Sequence, residues 1–220
     1  MKPKHPLAIR WFHWLNFPIL SLMIWSGLII YWANDAYFSF PDWFYEKAHL
    51  SFRLGEGMAY HFLFMWFFAI NGFLYVTYTF WSGHWRELKP NRRTPIEAFH
   101  VVLHDLKLRK APLPPGKFNA AQKLAYSGVI LMGAGSLISG LAIYKPTQLS
   151  WLTGLLGGYQ TARLIHFALT IGYGLFFVIH IGQVIKAGWN NFRSMVSGYE
   201  IVPKTEEVPI HGSAATHSAA

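Results

Sequence analysis

His166 and His180 stand fourteen residues apart in a stretch, Leu164 to Ile185, that holds no Asp, Glu, Lys or Arg. In a helix, fourteen steps of about 100° return to within about 40° of the starting direction, with a rise of about 21 Å. Both imidazoles then point the same way, at two depths of an apolar layer about 30 Å thick. Ionisable side chains inside a membrane helix are costly and mark function by default. Imidazole ligates haem iron, and two on one face predict two stacked cofactors.

Two further histidines lie in apolar stretches. His13 lies just inside the first, at the end nearer the N-terminus, and His61 just inside the second, at its opposite end. Antiparallel helices put His61 level with His166 and His13 level with His180, which makes two bis-imidazole pairs. One such histidine alone reads as a satisfied core residue; four in two depth-matched pairs do not. Gly27 follows His13 by fourteen residues and Gly72 follows His61 by eleven, on similar faces. A missing Cβ there suits close approach of a haem plane, and equally suits ordinary small-residue helix packing. Arg163 and Arg10 each precede a histidine by three residues, placed to pair with haem propionates or to serve as interface anchors.

The other histidines sort differently. His49 precedes Arg53 and Glu56 in a loop and competes with His61 as a ligand. His84, His100 and His104 fall at the inner interface, where His100 or His104 with Asp105 could exchange protons at a quinone site. His5, His211 and His217 are terminal. No span carries the three or four converging ligands of a zinc centre, and no catalytic triad, phosphate loop or nucleotide fingerprint is present.

The elements that must position these residues are legible in composition. Of 220 residues, 53% are hydrophobic, 18% aromatic and 13% charged, against about 25% charged in soluble domains. The absence of cysteine removes disulfides, cysteine-ligated clusters and covalent c-type haem, so any haem is held noncovalently. Spans are expected at 9–32, 58–82, 120–144 and 161–187, with Trp and Tyr at their ends as an aromatic belt and Pro18 as a possible kink. The predicted fold class is an all-α membrane protein. Residues 1–202 form a four-transmembrane-helix up-down bundle with short interfacial helices near Thr94 and Leu149. Residues 203–220 read as a disordered cytoplasmic tail. The first apolar stretch is too long for a signal peptide and is read as an uncleaved helix. No internal repeat is legible beyond the spans.

The net charge of +9 does not indicate nucleic acid, because the basic residues flank apolar spans. They crowd the termini and the segment from Trp85 to Lys123. The positive-inside rule then places both termini in the cytoplasm.

Several segments together resemble one family: Ile9 to Leu15 around His13, Tyr60-His61-Phe62, Ala162 to Phe167 with His180 beyond, and Asn191 to Gly198. The likeness, over roughly residues 5 to 200, is to the bacterial cytochrome b561 / nickel-hydrogenase cytochrome b family. That family includes membrane subunits of hydrogenases, formate dehydrogenases and thiosulfate reductases. It implies two b haems, with His13, His61, His166 and His180 as ligands of their iron. It also implies electron exchange between membrane quinone and a partner redox subunit. The partner class is an exported molybdopterin oxidoreductase, a hydrogenase or a dehydrogenase, and Leu156 to Arg163 is similar to members that accompany the first. The second helix departs from the pattern, lacking the Gly-Tyr and Arg that often follow its histidine. Two other readings stay open: a haem-free membrane anchor, and a stand-alone quinone-coupled oxidase of a small diffusible species. A transporter fits least, because nothing resembles broken-helix half-sites.

Overall fold

The computed structural model describes residues 1–33, 41–48, 53–110 and 118–202. In chain order these form β1 (Lys2–Pro3), α1 (Leu7–Trp32), α2 (Asp42–Lys47), α3 (Leu54–Trp81), α4 (Trp85–Leu88) and α5 (Thr94–Asp105). There follow α6 (Ala120–Tyr144), α7 (Ser150–Leu155), α8 (Tyr159–Ser197) and β2 (Tyr199–Glu200). The helices α1, α3, α6 and α8 are long and apolar enough to cross a membrane, so the architecture is an all-α membrane bundle.

Polarity runs inside-out relative to a soluble protein. Ser26, Ser139 and Ser194 are fully buried, and Asn71 and Thr79 nearly so. Leu63, Trp66, Phe73, Leu131, Val178 and Ile179 are exposed. Apolar surface of this extent is stable only against lipid, and in lipid the helix satisfies its own backbone. Asn71, inside α3, reaches the Phe12 carbonyl and Asn16 Oδ1 of α1, both at 3.4 Å.

Helix boundaries follow local chemistry. Asn119 Oδ1 accepts from the Gln122 amide at 2.9 Å and Gln122 Oε1 from the Asn119 amide at 3.0 Å, a reciprocal cap that starts α6. The Thr94 amide donates to Asn91 Oδ1 at 2.9 Å ahead of α5. Pro18 lies inside α1 without ending it. The fourth span is expected to stop at residue 187, and the helical backbone does break at Gly188 (φ 79°, ψ 175°), a conformation open to glycine; a further helical stretch beyond the kink carries α8 to Ser197. The expected interfacial helices correspond to α5 and α7. The tail, 203–220, lies outside the described residues.

The helix α1 packs along α3, α6 along α8, and α5 against α6, whereas the two long hairpins touch each other sparsely. Aromatic stacks join α1 to α8: Phe17 on Phe177 (6.0 Å) and Tyr31 on Phe167 (4.1 Å). The chain ends meet. Lys2 pairs with Glu200 in the antiparallel β1–β2 ladder, and Lys4 Nζ donates to Glu200 Oε1 at 2.8 Å and Asn191 Oδ1 at 3.0 Å. Both ends of the bundle thus lie on one side, the inner side below.

Asp105 ties the end of α5 to α8. Its carboxylate pairs with Lys186 Nζ and accepts from Gln183 Nε2 at 3.0 Å. Burial pushes the carboxyl up, but the bonds from Lys186 and Gln183 outweigh it and hold it below its ordinary value. A depressed carboxylate stabilises the fold above its unfolded pKa, near 3.9, and loses that contribution as pH falls through the lower folded value. Hydrogen exchange of α5, corrected for intrinsic rate, is therefore expected to hold constant from about pH 5 to about pH 8 and rise only below about pH 4. The pair is partly exposed, so Asp105→Asn should accelerate exchange no more than about fivefold, or about 1 kcal/mol.

A candidate four-histidine cofactor site

On the outer side, His61 of α3 faces His166 of α8 with ring centroids 6.2 Å apart and planes at 73°. On the inner side, His13 of α1 faces His180 of α8 at 6.0 Å and 54°. One metal between two imidazoles needs two nitrogen contacts of about 2.0–2.1 Å and two nitrogen-to-centroid distances of about 1.1 Å, about 6.2 Å in all. Both pairs fit this span. Their levels are fourteen residues apart on α8, about 21 Å of helix.

The outer pair is held from behind. The Ser26 hydroxyl donates to the Leu22 carbonyl at 2.6 Å, so its oxygen is left to accept from His61 Nδ1 at 3.0 Å. Ser139 does the same on α6, donating to Gly135 at 2.7 Å and accepting from His166 Nδ1 at 2.9 Å. The proton is thereby placed on Nδ1 and the Nε2 lone pair is left for a metal. The inner pair differs: His13 Nδ1 is buried with no hydrogen-bond partner among the described residues. His180 stacks on Phe176 at 5.6 Å.

The remaining expected site residues fall as follows. Gly27 lies against an imidazole: a Cβ there would stand 3.4 Å from His61 Cε1. A Cβ at Gly72 would meet nothing within 4 Å. Arg163 donates to Gln160 Oε1 at 3.1 Å. Arg10 donates to the Val196 carbonyl and packs under Gly198, so its guanidinium fastens the start of α1 to the end of α8. His84 is at the interface, 3.0 Å from Glu87 Oε2. His104 Nδ1 is buried without a partner among the described residues. Asp105, expected as a proton source beside it, is committed as the ionised partner of Lys186 and is unsuited to that role at neutral pH. His49 lies outside the described residues.

Ser26, Ser139 and Gly140 escaped sequence reasoning. A signal for them exists, and it corrects the expectation that no repeat is present. Ile24-Trp25-Ser26-Gly27-Leu28-Ile29-Ile30-Tyr31 aligns with Leu137-Ile138-Ser139-Gly140-Leu141-Ala142-Ile143-Tyr144. Each copy supplies the serine and glycine behind one outer histidine.

Comparison with known proteins agrees with the resemblance read from the sequence. The pattern of the prokaryotic cytochrome b561 family matches residues 4–198. A protein of Azospira oryzae named "Putative protein-methionine-sulfoxide reductase subunit YedZ1" is 32% identical over 181 residues, covering 82% of this chain and 89% of that relative. With four apolar helices around two facing imidazole pairs, and a match along nearly the whole bundle, the chain belongs to the prokaryotic cytochrome b561 family of membrane b-type cytochromes that serve electron transfer.

Proposed function

We propose that the chain carries electrons from membrane quinol, through two bis-histidine haems, to a reductase subunit at the outer face of a bacterial inner membrane. The observation that carries this reading is the pair of facing imidazoles at each of two levels, 6.2 and 6.0 Å between centroids. His61 with His166, and His13 with His180, would hold the two iron atoms. Bound haem supplies a one-electron iron couple at each level.

The protein's own residues do the rest. With haem bound, the two imidazoles at each level would hold it in a form suited to electron transfer rather than oxygen binding. Exposed apolar side chains seat the bundle in lipid, and the aromatic stacks between α1 and α8 help exclude water. Arg163, within one turn of His166, is the outer cation for haem carboxylates. Gly72 leaves open volume at the face of α3. Arg10 is committed to Val196, so its part at the inner level is to hold α1 in place. His104, with its unpartnered Nδ1, is the group best placed for proton exchange with quinone at the inner interface. The basic loops on the side of the chain ends support a cytoplasmic location for both termini.

The name of the relative supports a direction. A reductase consumes electrons, so this chain would deliver them, and an exported reductase of the molybdopterin class suits the outer face. The test is haem quantification and redox spectroscopy on protein purified in detergent. Two haems per chain, a low-spin b-type difference spectrum and reduction by a quinol analogue are expected. A pigment-free protein would point to the haem-free anchor. Turnover of a diffusible substrate without any partner would point to the stand-alone oxidase.

A further inference from the structure

The geometry points to a positioning device shared by α1 and α6. We propose that Ser26–Gly27 and Ser139–Gly140 form matched cradles that lock the outer imidazole pair in one tautomer and orientation, and thereby lower the redox potential of the outer centre alone. This rests on the haem reading above.

The two cradles agree closely. Serine Oγ meets the imidazole Nδ1 at 3.0 Å on α1 and 2.9 Å on α6. A Cβ on the following glycine would stand 3.4 Å from His61 Cε1 or 3.3 Å from His166 Cε1. The ring edge therefore rests against the backbone of each glycine, with room for little more than van der Waals contact. Each imidazole also meets the backbone three residues before its serine, at Met23 for His61 and at Ser136 for His166. Both serines are fully buried, so no water competes for the bond.

The repeat explains why only the outer centre has this support. His61 lies on the helix packed against α1, and His166 on the helix packed against α6. The outer pair thus takes one histidine from the helix packed against each copy. Thirteen residues before Ser26 stands His13, whereas thirteen before Ser139 stands Tyr126. Fourteen after His166 stands His180, whereas fourteen after His61 stands Tyr75. The copies match at the outer level and diverge at the inner one, where His13 Nδ1 finds no partner among the described residues.

A hydrogen bond accepted from Nδ1–H makes the imidazole a stronger donor to its metal. A stronger donor stabilises the oxidised state and lowers the potential, one of the levers a protein has on a haem. Among the described residues, His13 Nδ1 at the inner centre has no such bond.

The experiment measures redox midpoints of the full-length protein in detergent from its haem absorption. His180→Ala identifies the inner component by deleting it. In a Ser26→Ala/Ser139→Ala double variant, haem content is expected to stay at two. The outer midpoint should move to more positive potential while the inner one holds. Ser26→Thr with Ser139→Thr keeps both hydroxyls and should return the outer midpoint toward wild type, which a general loosening of the bundle would not do. Should the double variant lose its outer haem, the single variants are read instead, each moving the outer midpoint the same way by less. An unmoved outer midpoint, or an equal shift in both components, overturns the proposal. A wild-type protein without two haems would instead overturn the underlying functional reading, so the two failures are distinguishable.

Discussion

Replacing His166 by alanine is expected to leave a bundle that holds one haem where the wild type holds two. The chain has no cysteine, so nothing tethers the group covalently, and its retention depends on the two axial imidazoles. Among the described residues, the imidazole that faces His61 at the outer level is His166. With that partner gone, a single imidazole from α3 and the Ser26 bond behind it cannot span the gap between the hairpins. His180→Ala should delete the inner component in the same way and spare the outer. Extraction and spectral quantification of haem would check both, with a fall from two haems per chain to one and loss of one redox component. Two haems remaining in His166→Ala would sink the pairing. His61→Ala tests a separate point: an outer haem that survives it transfers the ligand role to His49. In either single-haem variant, quinol-driven reduction of the partner should fall to background, because the two levels are about 21 Å apart and each is one half of the route.

What the sequence made legible follows from how far each interaction reaches along the chain. The spans depend on runs of apolar residues about as long as the bilayer is thick, so α1, α3 and α6 begin and end within a few residues of expectation. The facing of His61 with His166 and of His13 with His180 depends only on helical phase and antiparallel order. Contacts between distant segments were not legible. Arg10 binds the Val196 carbonyl because the chain turns at Gly198 and pairs its ends, an arrangement no local pattern encodes. Asp105 meets Lys186 for a similar reason, since α5 has to dock before the two can touch. The serine cradles were hidden differently. A serine beside a glycine in a membrane helix reads as small-residue packing. Its role emerges only when the repeated segment is aligned and a histidine from the neighbouring helix is placed against each copy. The end of the fourth span at residue 187 was legible and coincides with the break at Gly188; the second helical stretch from there to Ser197 was not.

The close approach of α1 to α3 leads to the second large effect. A Cβ on Gly57 would lie 2.7 Å from Ile29 Cγ2, 3.0 Å from Ile29 Cβ and 3.3 Å from the Ser26 carbonyl. Ile29 is fully buried, so it has no free space to turn into. Gly57→Ala must therefore shift the helices apart or force a rotamer, at a cost of about 1–3 kcal/mol. The consequence reaches the site, because Gly57 is one turn before His61 on the same face and its neighbour Ser26 is the cradle for that ring. Gly57→Ala should lower the thermal midpoint in detergent and weaken retention of the outer haem, and Gly57→Leu should expel the outer haem while the inner one stays. Gly55→Ala is the control, since a Cβ there meets nothing within 4 Å. Truncating the opposing side chain should compensate: Ile29→Ala costs stability alone, yet in the Gly57→Ala background it opens the space the new methyl needs. The double variant should then lose less than the two single losses combined, the signature of residues in contact. If the losses simply add, the α1–α3 approach at Gly57 is not what seats His61 against Ser26, and the outer site must be held by the α6–α8 hairpin instead.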